Sequence, residues 1–176
     1  MTRQMAILLV TAFLGVAALA TAATGAAARG NTQVDGVMAL VSLGDPFDPT
    51  DDVYSMDGYG GGAAALVGLW YTRTFELGVF TPSGVVTGTG TEEFVGCLDD
   101  DGDGSCGAAE PWGTLWFAYE SSAKYDPVTF AQFHGRCHHV ITSGTGDFAG
   151  ASGQVRFKDD PETGCSYYSG HVALGG

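Results

Sequence analysis

The chain has 176 residues and carries 20 acidic residues against only 7 lysines and arginines, so its formal net charge at pH 7 is −13. This excess of acid argues against nucleic acids and anionic membranes as partners, because both are bound through basic patches. Cationic partners and metal ions remain compatible with it.

Residues 1–28 have the pattern of a secretory signal peptide. Arg3 is followed by an apolar run from Met5 to Ala20, and small residues at 26–28 provide a cleavage site. The apolar run is too short for a good membrane span. We therefore expect a secreted mature domain over residues 29–176 that has no membrane association after the signal is removed.

The mature part has the composition of an all-β domain. The whole chain has 28 glycines, and in the mature part they separate segments that are rich in Val, Thr and aromatic residues. Several of these segments alternate apolar with polar residues. The patterns predict one closed antiparallel eight-stranded barrel or, alternatively, a β-sandwich. The candidate strands are 33–43, 64–80, 84–88, 92–98, 113–119, 129–133, 137–142, 154–158 and 166–174. Two acidic stretches, 44–62 and 98–111, are predicted to be loops.

The second acidic loop matches the calcium-binding pattern D-x-D-x-D-G-x5-E. Alternate carboxylates and a sharp glycine turn suit a hard cation. Predicted strands flank this loop where an EF-hand has helices, and Pro111 disfavours a helical Glu110. We expect either a calcium loop of another type or a solvated acidic hairpin, and no organic cofactor. The candidate ligands are Asp99, Asp101, Asp103, the Ser105 carbonyl and Glu110.

The four cysteines, an even number in a chain expected to be secreted, favour two disulfides. Three pairings are open. We favour Cys97–Cys106, which brackets the acidic loop, with Cys137–Cys165 as the remainder. A zinc site is the competing interpretation, but no Cys-x-x-Cys spacing supports it.

Histidine and glutamate spacing provides few further sites. In extended chain His138 and His139 point to opposite faces, as do Glu92 and Glu93. We expect solvated or structural histidines and favour a solvent-facing position at the rim for both glutamates. A glutamate inside the barrel would be a candidate for proton transfer.

The C-terminal half resembles the barrel of allene oxide cyclases and dirigent proteins. The resemblance rests on the turn Ser143–Gly153 (SGTGDFAGASG), on Glu93-Phe94-Val95-Gly96, and on the final segment Tyr167–Val172. It implies an eight-stranded barrel whose apolar interior holds a hydrophobic small molecule. The polar groups that enzymes of this fold place in the cavity are not matched residue by residue.

These observations favour a secreted, non-enzymatic barrel that binds a hydrophobic small molecule or an extracellular partner and is stabilised by calcium. The alternative is a cyclase-like or dirigent-like enzyme that acts on a hydrophobic substrate in the cavity. Aromatic residues on both faces of the strands near Trp70 and Trp116 leave a homo-oligomer open as well.

Overall fold

A computed structural model describes residues 30–44 and 48–176, and it shows eight antiparallel strands that close into a barrel. Each strand pairs with its neighbours in the chain, and β8 pairs with β1. The all-β barrel prediction is confirmed, and the sandwich alternative is wrong. The strands are β1 (Asn31–Ser42), β2 (Val53–Gly58), β3 (Ala65–Phe80), β4 (Val85–Asp99), β5 (Trp112–Tyr125), β6 (Gln132–Gly146), β7 (Ser152–Asp160) and β8 (Cys165–Ala173).

Two features of the strand prediction are wrong. Segments 84–88 and 92–98 are one strand, because Gly88 and Gly90 stay in the ladder and make room for aromatic rings. A Cβ on Gly88 would lie 2.6 Å from the ring of Phe75. Residues 132–133 of the predicted strand 129–133 and the whole of 137–142 lie in one strand, β6, whereas residues 129–131 precede it. The predicted loop 44–62 contains β2, which fills the gap between β1 and β3.

One end of the barrel, here called the closed end, is filled with apolar side chains. Alternate residues of every strand point inward. The hydroxyl of the buried Tyr168 accepts a hydrogen bond from the backbone nitrogen of Leu66 and donates one to the Leu66 carbonyl oxygen, each at 3.0 Å. Gly36 has no side chain because a Cβ there would lie 2.5 Å from that hydroxyl. The closed-end core comprises Val34, Met56, Leu66, Phe94, Leu98, Leu115, Phe148, Tyr168 and Val172.

The glycine-rich turn between β6 and β7 seals the closed end. Phe148 at its centre is fully buried and packs with its ring centre 6.3 Å from that of Phe94. Gly146 and Gly150 adopt positive φ angles of 62° and 74°, a conformation that glycine accepts without steric cost. The Asp147 carboxylate accepts a hydrogen bond from the Trp112 backbone nitrogen. The turn therefore has a structural role as the plug of the barrel.

The predicted signal peptide, residues 1–28, lies outside the described residues. Among the residues that are described, no helix is long and apolar enough to cross a membrane.

Candidate functional site

The other end of the barrel, the open end, holds a cavity of about 430 Å³. It extends from Trp70 and Glu92 in the barrel interior to loop residues such as Pro49 and Pro161 at the mouth. Its volume falls in the range of small-molecule sites. The principal side chains that line it are Met38, Tyr54, Trp70, Thr72, Phe75, Glu92, Tyr119, Tyr125, Cys137 and Asp159.

Glu92 lies at the inner end of this cavity. It is on β4 beside Thr72 of β3, and its side chain is 12 % exposed. Its Oε2 atom accepts hydrogen bonds from the indole Nε1 of Trp70 at 2.7 Å and pairs with Nε2 of His139 at 2.6 Å. Its Oε1 atom accepts a bond of 3.2 Å from the Thr72 hydroxyl. Three strands thus hold one carboxylate in a fixed orientation.

His139 is enclosed by aromatic rings beneath Glu92. Tyr119 stacks on the imidazole with ring centres 5.2 Å apart, while Trp70, Phe117 and Phe157 present their rings at steep angles, at 5.3, 6.2 and 4.8 Å. His139 is 2 % exposed, and its Nδ1 atom has no hydrogen-bond partner. The only hydrogen bond of this buried ring found among the described residues is the one to Glu92, so the two groups act as a pair.

The sequence predicts on which face of its strand each of these residues lies, but not that Glu92 and His139 are buried. Glu92 and Glu93 do point to opposite sides: Glu93 is outside and pairs with Arg73. The expectation of a solvent-facing rim position is wrong for Glu92, because it shares the inward face of β4 with the buried Phe94. His138 lies on the outer face and bonds Gln154, whereas His139 faces inward with Ile141. Identifying the pair required knowing that β3 and β6 both bring donors to one point.

A second carboxylate, Asp159 on β7, lies toward the mouth. Its oxygens accept hydrogen bonds from Gln132 at 2.6 Å and Ser166 at 2.8 Å. Burial, together with Glu92 and Asp159, raises the pKa of the Cys137 thiol to about 12. Burial also raises the pKa of Tyr54, and nearby carboxylates, with Asp52 the strongest, add to the rise. Carboxylates outnumber basic side chains among the residues that line the cavity.

The cysteine prediction is half right. Cys97 and Cys106 form a disulfide with an S–S distance of 2.07 Å, as expected. Cys137 and Cys165 are free, so the expected second disulfide is absent. They lie on β6 and β8, which β7 separates. Strands two places apart are roughly 10 Å from each other, which exceeds the Cα separation a disulfide spans.

The predicted calcium loop lies at the closed end, on the opposite side of the barrel from the cavity. Oxygen atoms of Asp99, Asp101 and Asp103 all come within 4.8 Å of one another. Asp99 is buried and accepts hydrogen bonds from the backbone nitrogens of Gly102, Asp103 and Gly104. The structure thus brings the three aspartates of the motif together. Ser105 is exposed, and its nitrogen and hydroxyl bond Asp103.

Glu110, the fifth predicted ligand, is not among the carboxylates whose oxygens lie within 4.8 Å of one another. Its Oε2 atom accepts a hydrogen bond from the Gly107 nitrogen, and its Oε1 atom is buried without a partner. Burial raises the pKa of Glu110; the Gly107 bond partly offsets the rise, and Asp99 and Asp101 add to it.

No protein-family model matches the sequence, and no curated protein matches it.

Proposed function

We propose that this protein is a secreted barrel that binds a small molecule with an apolar body in the cavity at the open end. The observation that carries the proposal is the contrast between the two ends: the closed end is packed, whereas the open end holds a cavity of about 430 Å³ with a fixed carboxylate at its inner end. A barrel of eight strands is just wide enough either to be filled by side chains or to hold one small ligand. The disulfide Cys97–Cys106 supports an oxidising compartment and therefore secretion.

A neutral fluorescent alcohol, 2-naphthylmethanol, tests this binding. Small ligands gain a limited free energy per atom, so the titration extends to about 1 mM. The variant Ala123→Trp places an indole in the cavity. The control Ala118→Trp adds the same group to the exposed outer face of the same strand.

We expect saturable binding by the wild type at one site, binding weakened at least tenfold in Ala123→Trp, and unchanged binding in Ala118→Trp. Absence of saturable binding to the wild type, or equal binding by the two variants, would refute a ligand site inside the barrel.

The pair of Glu92 and His139 favours a second candidate function, proton transfer on the bound molecule. A carboxylate in an apolar, partly dehydrated site that also bonds an imidazole has the composition of a general base. His139 touches Glu92 and does not line the cavity, so it would act as a positioning residue.

Ring opening of 5-nitrobenzisoxazole tests this candidate without knowledge of a natural substrate. A base removes the proton on C3 while the N–O bond breaks, and the product is a coloured cyanophenolate. If Glu92 is the base, Glu92→Gln reduces the rate about 100-fold, while Glu93→Gln on the outer face leaves it unchanged. Equal rates for both variants would exclude Glu92 as the base and leave the binding proposal intact.

The acidic loop supports calcium stabilisation as a third part of the proposal. Its support is the convergence of the carboxylates of Asp99, Asp101 and Asp103. Calcium would be a structural ion here, because the loop lies at the closed end, remote from the cavity.

A further inference from the structure

We propose that the ligand of the barrel cavity is an organic cation, in which a protonated amine or quaternary ammonium group is attached to an apolar body. This inference rests on the proposed binding function and names its ligand class.

Glu92 has hydrogen-bonding capacity left for a ligand. An ionised carboxylate offers about four acceptor positions, and the described residues supply three donors, from Trp70, Thr72 and His139. The carboxylate is partly exposed and lines the cavity. A ligand N–H group can therefore take the remaining position, and a cationic donor makes the stronger, charge-assisted bond.

Aromatic side chains form much of the cavity wall. Tyr54, Phe75 and Tyr125 line the cavity with partly exposed rings, and the nearly buried Trp70 and Tyr119 complete the lining. Aromatic faces attract cations, and cages of such rings bind quaternary ammonium groups. The same rings offer an apolar surface to the body of the ligand. The wall therefore suits a molecule that is both cationic and apolar.

The charge of the lining favours a cation as well. Glu92 and Asp159 contribute inward-facing carboxylates. Asp160 and Arg136 are the other charged residues of the lining, and Asp160 follows the inward-facing Asp159, so its Cα–Cβ bond points outward. Arg136 is exposed and lies on β6 between the inward-facing Gly135 and Cys137, so its Cα–Cβ bond points outward. The partners of Asp159 are the neutral Gln132 and Ser166, so its charge is not paired. An anionic ligand, such as a fatty acid, would meet repulsion throughout the cavity.

Three ligands with the same body separate charge from apolar contact: 2-naphthylmethylamine, 2-naphthylmethanol and 2-naphthoic acid, measured by calorimetry at pH 7 and constant ionic strength. We expect the amine to bind about tenfold tighter than the alcohol, since a hydrogen bond to a charged group exceeds a neutral one by roughly that factor. The acid should bind more weakly than the alcohol. Binding of the alcohol alone establishes the cavity site, so the two proposals fail separately.

Variants then assign the preference to the cavity. Glu92→Gln should lower the ratio of amine to alcohol affinity at least fivefold, with the small remaining preference due to Asp159, and Glu93→Gln should leave the ratio unchanged. Asp159→Asn, which does not touch the Glu92 pair, should lower the ratio by a smaller factor and gives an independent test if Glu92→Gln does not fold. Equal affinities for the three ligands, or a preference for the acid, would overturn the cation proposal. A preference that survives both Glu92→Gln and Asp159→Asn would also overturn it, because the amine would then bind elsewhere.

Discussion

Replacing Phe157 with alanine should destabilise the barrel by about 4 kcal/mol. Phe157 is 3 % exposed, and its ring centre lies 5.2 Å from Trp70, 4.8 Å from His139 and 5.8 Å from Tyr168. Truncation of a buried phenylalanine to alanine costs about 3–5 kcal/mol. The upper half of that range applies because each aromatic contact adds about 0.5–1.5 kcal/mol beyond the buried area. For a domain of this size the loss corresponds to a fall in melting temperature of roughly 12 °C.

Urea unfolding followed by circular dichroism measures this loss directly. The matched control is Arg156→Ala, because Arg156 is the preceding residue of the same strand and its side chain is exposed on the outer face. It should change the free energy of unfolding by no more than about 0.5 kcal/mol. Equal losses in the two variants, or a loss below about 1 kcal/mol for Phe157→Ala, would show that the inward register of β7 is wrong.

Three further predictions concern the closed end and the free thiol. Millimolar calcium at constant ionic strength should raise the melting temperature by mass action, since extracellular sites bind calcium at about 0.1–1 mM. The Asp101→Asn, Asp103→Asn double variant should lose this effect, and an unchanged wild-type melting temperature would contradict calcium binding by the loop. Reduction of Cys97–Cys106, whose sequence separation is 9, should lower the free energy of unfolding by about 2.5 kcal/mol, and non-reducing peptide mapping should recover these two cysteines joined. The pKa of Cys137 in the folded chain is raised to about 12, so the folded chain keeps a proton that the unfolded chain loses above about pH 9. The free energy of unfolding should therefore fall from pH 9 toward pH 12, and it should fall by less in Cys137→Ala.

The sequence was sufficient to predict the barrel because alternation and glycine punctuation report directly on local backbone structure. In β7 the alternation of apolar and polar residues places Val155 and Phe157 on one face and Arg156 and Lys158 on the other. The structure buries the first two and exposes the second two. Strand β2 was missed because the aspartates and glycines around it resemble a loop. Its pairing with β1 and β3 depends on closure of the barrel, which no local pattern encodes.

The candidate site was only partly predictable for a related reason. Parity along each strand places Glu92 on the face of Phe94, and His139 on the face of Ile141, but it does not show which residues of different strands meet. Glu92 and His139 are 47 positions apart in the chain, and they meet because the register from β3 through β6 brings them to one level. The same limit explains the false Cys137–Cys165 pairing: an even cysteine count carries no information on the strand that separates β6 from β8.

The most direct test of the central claim is a crystal structure of the protein with a bromine-labelled 2-naphthylmethylamine. We predict a bromine anomalous peak inside the barrel, between the rings of Tyr54 and Tyr119, with the ammonium nitrogen within hydrogen-bonding distance of a Glu92 carboxylate oxygen. A bromine peak on the outer face of the sheet, or an interior with no ligand density at saturating concentration, would contradict the account.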